Sequence, residues 1–136
     1  MIHLVTGGSG SGKSAYAEQC ILDFSGTRRV YIATMQPFGA EGQARIARHR
    51  KMRAAKQFST IECYTNLKEV ELEPGSDVLL ECMSNLTANE IFDPSGAGKA
   101  RAEEEILAGV SRLAHQARNL VLVTNEIFSD GYRYEE

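Results

Sequence analysis

A chain of 136 residues amounts to one domain, long enough to bury a proper core. Its 43% hydrophobic and 24% charged residues are the proportions of an ordinary soluble globular protein rather than a disordered or fibrous one. A formal net charge of −3 argues against a general nucleic-acid binder, and no apolar run approaches the length needed to cross a bilayer.

The chain opens on an apolar run over residues 2–5, which predicts a strand. It leads into Gly7-Gly8-Ser9-Gly10-Ser11-Gly12-Lys13-Ser14, the full GxxxxGK[ST] pattern, and then into residues 15–22, which read as a helix. A strand, a glycine-rich turn and a helix N-terminus are the setting this pattern needs. Backbone N–H groups of such a turn can point inward around an anion, because glycine has no Cβ in the way. The helix that follows aims its positive end at the same place. Lys13 is expected to reach the β- and γ-phosphates, and the Ser14 hydroxyl to hold a magnesium ion. A Gly/Ser linker would neither follow an apolar strand nor launch an amphipathic helix. The expectation is a nucleoside triphosphate site. Because the first strand begins at residue 2, no leader is expected before it.

Residues 23–27 read as a turn with Gly26 as the helix C-cap, and residues 29–34 as a buried strand. Residues 35–42 carry Pro37, Gly39 and Gly42 and predict a loop at the carboxyl end of that strand, the edge where ligands collect in an open α/β sheet. Residues 41–56 then predict a helix with a thin apolar stripe, Ile46 and Met52 among alanines. Arg45, Arg48, His49, Arg50, Lys51, Arg53 and Lys56 supply most of the rest. Such a helix cannot be deeply buried and shows a basic face to something. A solvated surface is the ordinary explanation. The scarcity of acidic partners, one element after a phosphate-binding turn, argues for an anion instead.

Residues 58–63 predict a short strand, residues 67–72 are ambiguous, and Pro74-Gly75 marks a turn. Residues 77–82 form an apolar run ending at Glu81, resembling a Walker B element whose acid approaches the magnesium; a carboxylate that merely caps the next helix is the alternative. Residues 83–92 read as a short helix. Residues 99–118 read as the longest helical segment, with Ile106, Leu107, Val110, Leu113 and Ala114 on one face. Residues 119–126 predict a strand with a polar tip at Asn125-Glu126, and Asp130-Gly131 marks a later turn. Strands alternating with helices in this order predict an α/β fold, a doubly wound, mostly parallel sheet with flanking helices of the P-loop NTPase (RecA-like) kind. Strand ends would then gather the glycine-rich turn, Ala33-Thr34, Glu81 and Asn125-Glu126 on one edge. Cys20, Cys63 and Cys82 lie far apart with no CxxC pair, each in or beside an apolar run, which fits small hydrophobes in a reducing cytoplasm.

A P-loop specifies triphosphate binding but not the fate of the phosphates. Of three histidines, His3 lies in the first strand and His115 on the long helix, both structural positions. His49 lies on the basic helix with Arg45 and Arg53 one turn away on either side. Cationic neighbours disfavour a charged imidazole, which leaves its nitrogen nucleophilic near neutrality. The same arginines could hold a triphosphate while that nitrogen attacked phosphorus. Residue chemistry alone leaves His49 open as nucleophile, phosphate clamp or bystander. It equally leaves open a small-molecule kinase without a covalent step, or a nucleotide-binding module without turnover.

Val5-Thr6-Gly7-Gly8 with Ser11-Gly12-Lys13-Ser14, then Tyr31-Ile32-Ala33-Thr34, Arg45-Ile46 with His49-Arg50 and Arg53, Thr60 with Glu62, Leu79-Leu80-Glu81-Cys82 and Val121-Leu122-Val123-Thr124-Asn125-Glu126 occur in this order. The set resembles the bifunctional adenosylcobinamide kinase / adenosylcobinamide-phosphate guanylyltransferase family of cobalamin biosynthesis, over nearly the whole chain. The resemblance implies that ATP or GTP phosphorylates adenosylcobinamide. GTP then guanylylates a histidine, and GMP passes to adenosylcobinamide phosphate to give adenosylcobinamide-GDP. By the same resemblance His49 would be the nucleophile, with Lys13 also catalytic. Gly7 to Ser14 would cradle phosphates, and Ala33, Thr34, Met35, Arg50, Lys51, Met52, Arg53, Glu62 and Glu81 would contact nucleotide. Ser14 and Glu81 would hold Mg2+. The family forms a trimer and continues past the last strand with a further helix and closing strands. The resemblance therefore implies that residues 1–136 form a single P-loop domain lacking those elements, with a less covered sheet edge that invites association.

Overall fold

The computed structural model describes residues 2–7, 12–36 and 39–125. Within them, strands β1 (Ile2–Gly7), β2 (Arg28–Ala33), β3 (Phe58–Glu62), β4 (Ser76–Glu81) and β5 (Asn119–Asn125) form one parallel sheet in the order β1-β5-β4-β2-β3. The helices are α1 (Lys13–Asp23), α2 (Gly39–Ala55), α3 (Met83–Phe92) and α4 (Ala102–Gln116), with a 3-10 turn at Leu67–Glu69. This is the expected α/β architecture with flanking helices. Gly8, Ser9, Gly10 and Ser11 of the glycine-rich turn lie outside the described residues, as do Glu126 and the turn at 130–131.

Both faces of the sheet are covered, so its central strands are apolar on both sides, as parallel strands with crossover helices must be. Val30, Ile32, Val78, Leu80, Leu120 and Leu122 face α3, α4 and the 3-10 turn, meeting Leu86, Ile106, Leu113 and Leu67. The alternate residues Tyr31, Leu79, Val121 and Val123 face Ala17 and Ile21 of α1. Burying each such aliphatic side chain contributes roughly 1.5–3 kcal/mol before the entropic cost of ordering it. In register, Tyr31 lies beside Leu79 and Leu79 beside Val121, while Ala33 lies beside Glu81. The carboxyl ends of β2 and β4 are therefore level, one above the core rung that holds Tyr31.

Four expectations need correction. The longest helix is α2, with 17 residues against 15 for α4, because α4 starts only at Ala102, after the turn closed by Gly98. Leu107 is 61% exposed: the buried stripe of α4 runs through Ala102, Ile106, Gly109 and Leu113, and Leu107 lies about a quarter-turn off it. Gly26 is not the left-handed residue after α1. Ser25 takes that role at φ 57, and Gly26 is needed because a Cβ there would strike the buried Asp77 carboxylate. The loop foreseen over residues 35–42 is shorter, since α2 already begins at Gly39, whose φ of 72 suits glycine.

Candidate functional site

Ser14 stands in the first turn of α1, and its hydroxyl donates to Oε2 of Glu81 at the end of β4. The other carboxylate oxygen, Oε1, accepts from the Tyr31 hydroxyl at 3.0 Å. Burial and the neighbouring Glu81 push the Tyr31 phenol far above its usual range, so it stays a neutral donor. One carboxylate thus gathers hydroxyls from α1 and β2. The strand β5 lies between β1 and β4, so the acid reaches the start of α1 from two strands away from the strand that leads into it.

Thr34 holds the rim in place. Its side chain is fully buried, and its hydroxyl lies 3.0 Å from the carbonyl oxygens of both Glu81 and Cys82 while accepting from the Cys82 N–H at 2.8 Å. The Asn89 side-chain amide donates to the Thr34 carbonyl at 2.7 Å, tying α3 to the same corner. Thr34 therefore acts through its backbone partners, with its hydroxyl committed to β4.

The basic helix α2 lies over this corner. Ile46, His49 and Arg53 fall at helical spacing on one side of it and line a small recess with Tyr31, Ala33, Thr34, Met35, Glu62 and Glu81. Arg53 departs from the expectation that so thinly apolar a helix cannot be deeply buried, being only 6% exposed with its guanidinium carbon 3.6 Å from the centroid of the Tyr31 ring. Its Nε has no hydrogen-bond partner among the described residues, and neither does the guanidinium have an acidic one. An anion entering the recess would supply the partner this buried cation lacks. Arg50 instead pairs with Glu62 on β3, and Lys56 pairs with Glu18 on α1 at 2.7 Å. Lys51 and Met52 are exposed.

Beside the recess opens a cleft of about 500 Å³. Lys13, Ser14, His49, Arg53 and Glu81 all line it, as does Met35 at its rim. Elements far apart in the chain thus bring the P-loop lysine, the acid of β4 and the histidine of α2 around one space. Ala33, Thr34 and Glu62 belong to the adjoining recess, and Arg50 and Lys51 line neither. The backbone of Asn125 ends β5, beside Gly7 of β1 in register. His3 is structural, its ring 5.4 Å from that of Phe24. His115 is exposed near the end of α4, with Nδ1 2.7 Å from the Ser111 carbonyl.

Tyr31 escaped the sequence reasoning as a site residue, because it stands in an apolar strand that reads as plain core. The one signal was a hydroxyl in that aliphatic run. The described residues hold no group of three or more His, Cys, Asp or Glu side chains able to bind a metal by themselves. Ser14 and Glu81 offer two hard oxygens, a set that suits a cation sharing its coordination with phosphate and water. Among the described residues no helix is long and apolar enough to cross a membrane.

A parallel α/β sheet, a GxxxxGKS turn opening α1 and an acid delivered to the serine from β4 define a P-loop nucleotide-binding protein. The family model for cobinamide kinase / cobinamide phosphate guanyltransferase matches residues 3–134. Over 140 aligned positions the chain is 36% identical to the bifunctional adenosylcobalamin biosynthesis protein CobU of Escherichia coli (strain K12), spanning 93% of this chain and 76% of that one. The protein of the same description from Salmonella typhimurium gives the same identity and coverage. This chain belongs to the cobinamide kinase / cobinamide phosphate guanyltransferase family.

Proposed function

We propose that this chain is a bifunctional enzyme that phosphorylates adenosylcobinamide with ATP or GTP and then transfers GMP from GTP to adenosylcobinamide phosphate by way of a GMP-histidine on His49. The observation that carries the reading is that His49 and Lys13 line one cleft, with the buried cation of Arg53 between α2 and the sheet. A phosphate-binding lysine and a nucleophile facing one cleft are what reaction with a single bound triphosphate requires.

In the kinase step, the substrate hydroxyl oxygen attacks the γ-phosphorus, the bond to the β-phosphate oxygen breaks, and nucleoside diphosphate leaves. Gly7 to Gly12 supply backbone N–H groups to the phosphates and Lys13 a charge. Ser14 and Glu81 would hold Mg2+, which would supply charge neutralisation on the phosphate oxygens. In the guanylyl transfer, a neutral imidazole nitrogen of His49 attacks the α-phosphorus. The N–P bond forms as the bond to pyrophosphate breaks. An oxygen of adenosylcobinamide phosphate then attacks the same phosphorus and frees the histidine. Splitting the transfer in two gives each half a good leaving group. Arg53 stabilises the charge that builds on the phosphate during both halves. Met35 and Met52 flank the nucleotide, and Arg50, paired with Glu62, together with Lys51 completes the basic surround. The working assembly is a homotrimer in the cytoplasm.

The decisive experiment is incubation with GTP labelled at the α-phosphate. Acid-labile, base-stable label that vanishes in His49→Ala is the expected result. Intact kinase turnover with no label on the wild-type protein would leave a plain kinase instead.

A further inference from the structure

The Tyr31 side chain touches both the acid at the end of β4 and the cation of α2. Its hydroxyl donates to Glu81 Oε1 at 3.0 Å, on the carboxylate whose other oxygen takes the Ser14 hydroxyl. Its face carries the Arg53 guanidinium at 3.6 Å. Tyr31 itself is 8% exposed and stands on an interior strand, beside Leu79 of the central strand β4. It thus links two side chains from different layers of the molecule, the partly buried acid at the end of β4 and the buried cation of α2.

We propose that Tyr31 is a dual positioning residue, whose hydroxyl aims the Glu81 carboxylate and whose ring seats the Arg53 cation, so that the two functions are separable by substitution. The inference rests on the nucleotide-binding reading given above. A phenol O–H can only donate to an ionised carboxylate, so the hydrogen bond to Oε1 has a fixed direction and leaves the acid's remaining lone pairs for Ser14 and a cation. The ring does separate work. A guanidinium without an acidic partner among the described residues needs a surface that tolerates its charge without neutralising it. An aromatic face does that and leaves the N–H groups for phosphate oxygens.

The test measures binding rather than turnover: calorimetric titration with a non-hydrolysable GTP analogue, with and without Mg2+, on wild type, Tyr31→Phe and Tyr31→Leu. Tyr31→Phe keeps the ring and removes the hydroxyl. Its metal-free affinity is expected to match wild type, while the gain in affinity on adding Mg2+ shrinks by about tenfold. Tyr31→Leu removes both and is expected to weaken metal-free binding by about tenfold as well. In the nucleotide-free protein, the Arg53 side-chain Nε resonance should stay in place in Tyr31→Phe and move in Tyr31→Leu. A Tyr31→Phe protein with the full Mg2+ gain overturns the inference, and so does equal weakening of metal-free and metal-bound affinity in both variants, the pattern of a merely structural residue. If Tyr31→Leu does not fold, the Tyr31→Phe pair of titrations decides alone. Wild type that binds no analogue at all defeats the nucleotide-binding reading itself, and the inference falls with it.

Discussion

Ser14 and Glu81 are 67 positions apart in the chain, yet the serine hydroxyl donates directly to the glutamate carboxylate. The contact exists because α1 crosses over β5 before the chain returns to the sheet, which puts the end of β4 opposite the first turn of that helix. Thr34 keeps the end of β4 from drifting, with its hydroxyl bonded to the backbone of both Glu81 and Cys82. The acid is therefore aimed from below by Tyr31 and fixed from the side by Thr34.

Replacing Glu81 with Gln should cost the kinase step about 100-fold in kcat, the scale of losing one preorganised charge contact at a phosphoryl-transfer site. The amide retains one acceptor oxygen for Tyr31 or Ser14 but presents an NH2 to the other hydroxyl and no charge to a cation. Steady-state phosphorylation of cobinamide against Mg2+ concentration measures it. An unchanged Mg2+ requirement would show that the acid has no part in holding the metal.

His49→Ala should abolish protein labelling by α-labelled GTP and leave the kinase step within about tenfold of wild type, since the proposed mechanism uses the imidazole in only one of the two reactions. Lys13→Ala should remove both. Parallel loss of both activities in His49→Ala would make the residue a general phosphate clamp.

How much of this was open to reading beforehand follows from the physics of each signal. The glycine-rich turn with its strand and helix, and the alternation of apolar runs with helical ones, depend on neighbours in sequence, so element order and sheet class come out correctly. Leu107 shows the limit of the same periodicity: at the border of an apolar stripe, tertiary packing decides, and the 3-10 turn covers Gly109 instead. Lys13 and Ser14 are nominated by a motif that carries its own chemistry, His49 and Glu81 by resemblance, and the structure brings all four around one cleft. It was not legible at Tyr31 or in the burial of Arg53. Both depend on α2 lying across β2, a long-range placement that neither residue announces. Glu90, almost fully buried while accepting from the backbone N–H of Asn66 and Ala97, is a structural counterpart that no local pattern marks.

Arg53 should show a conflict between stability and function. It is buried with a ring face but no acidic partner among the described residues, so its charge is costly to the empty protein and an anion would offset that cost. Arg53→Met, which keeps the stem and much of the volume, should unfold within about 1 kcal/mol of wild type or above it, while nucleotide affinity falls roughly 10- to 100-fold. Denaturant titration paired with nucleotide binding measures both. A large loss of stability with normal affinity would make Arg53 a packing residue. Arg53→Lys should not restore affinity, because a point charge cannot lie flat on Tyr31 and still present a planar set of donors.

Thr34→Val should destabilise the fold by about 1–3 kcal/mol, since it strands a buried Cys82 N–H that now donates to the threonine hydroxyl. Thr34→Ser keeps the hydroxyl and should recover most of that loss, which a chemical melt would show. A Val variant as stable as wild type would mean that the end of β4 is held by the sheet alone.

Cys63 offers a check on the packing beneath β3. Its thiol is buried, and burial first, with the nearby Glu90 carboxylate second, pushes its pKa up to about 11 from an ordinary 9.0. The folded state therefore favours the protonated thiol. Stability from this group is fully present below pH 9 and is lost as pH climbs from 9 towards 11, because the unfolded chain releases the proton first. Cys63→Ala should flatten the alkaline fall in stability over that window while leaving the profile at lower pH unchanged in shape. Thiolate reactivity gives the second measurement: in the native protein Cys63 should resist alkylation at pH 9 and react readily once denatured. Equal rates in the two states would mean that the core around Val30, Ile32, Leu67 and Val70 does not shield the sulfur as the structure has it.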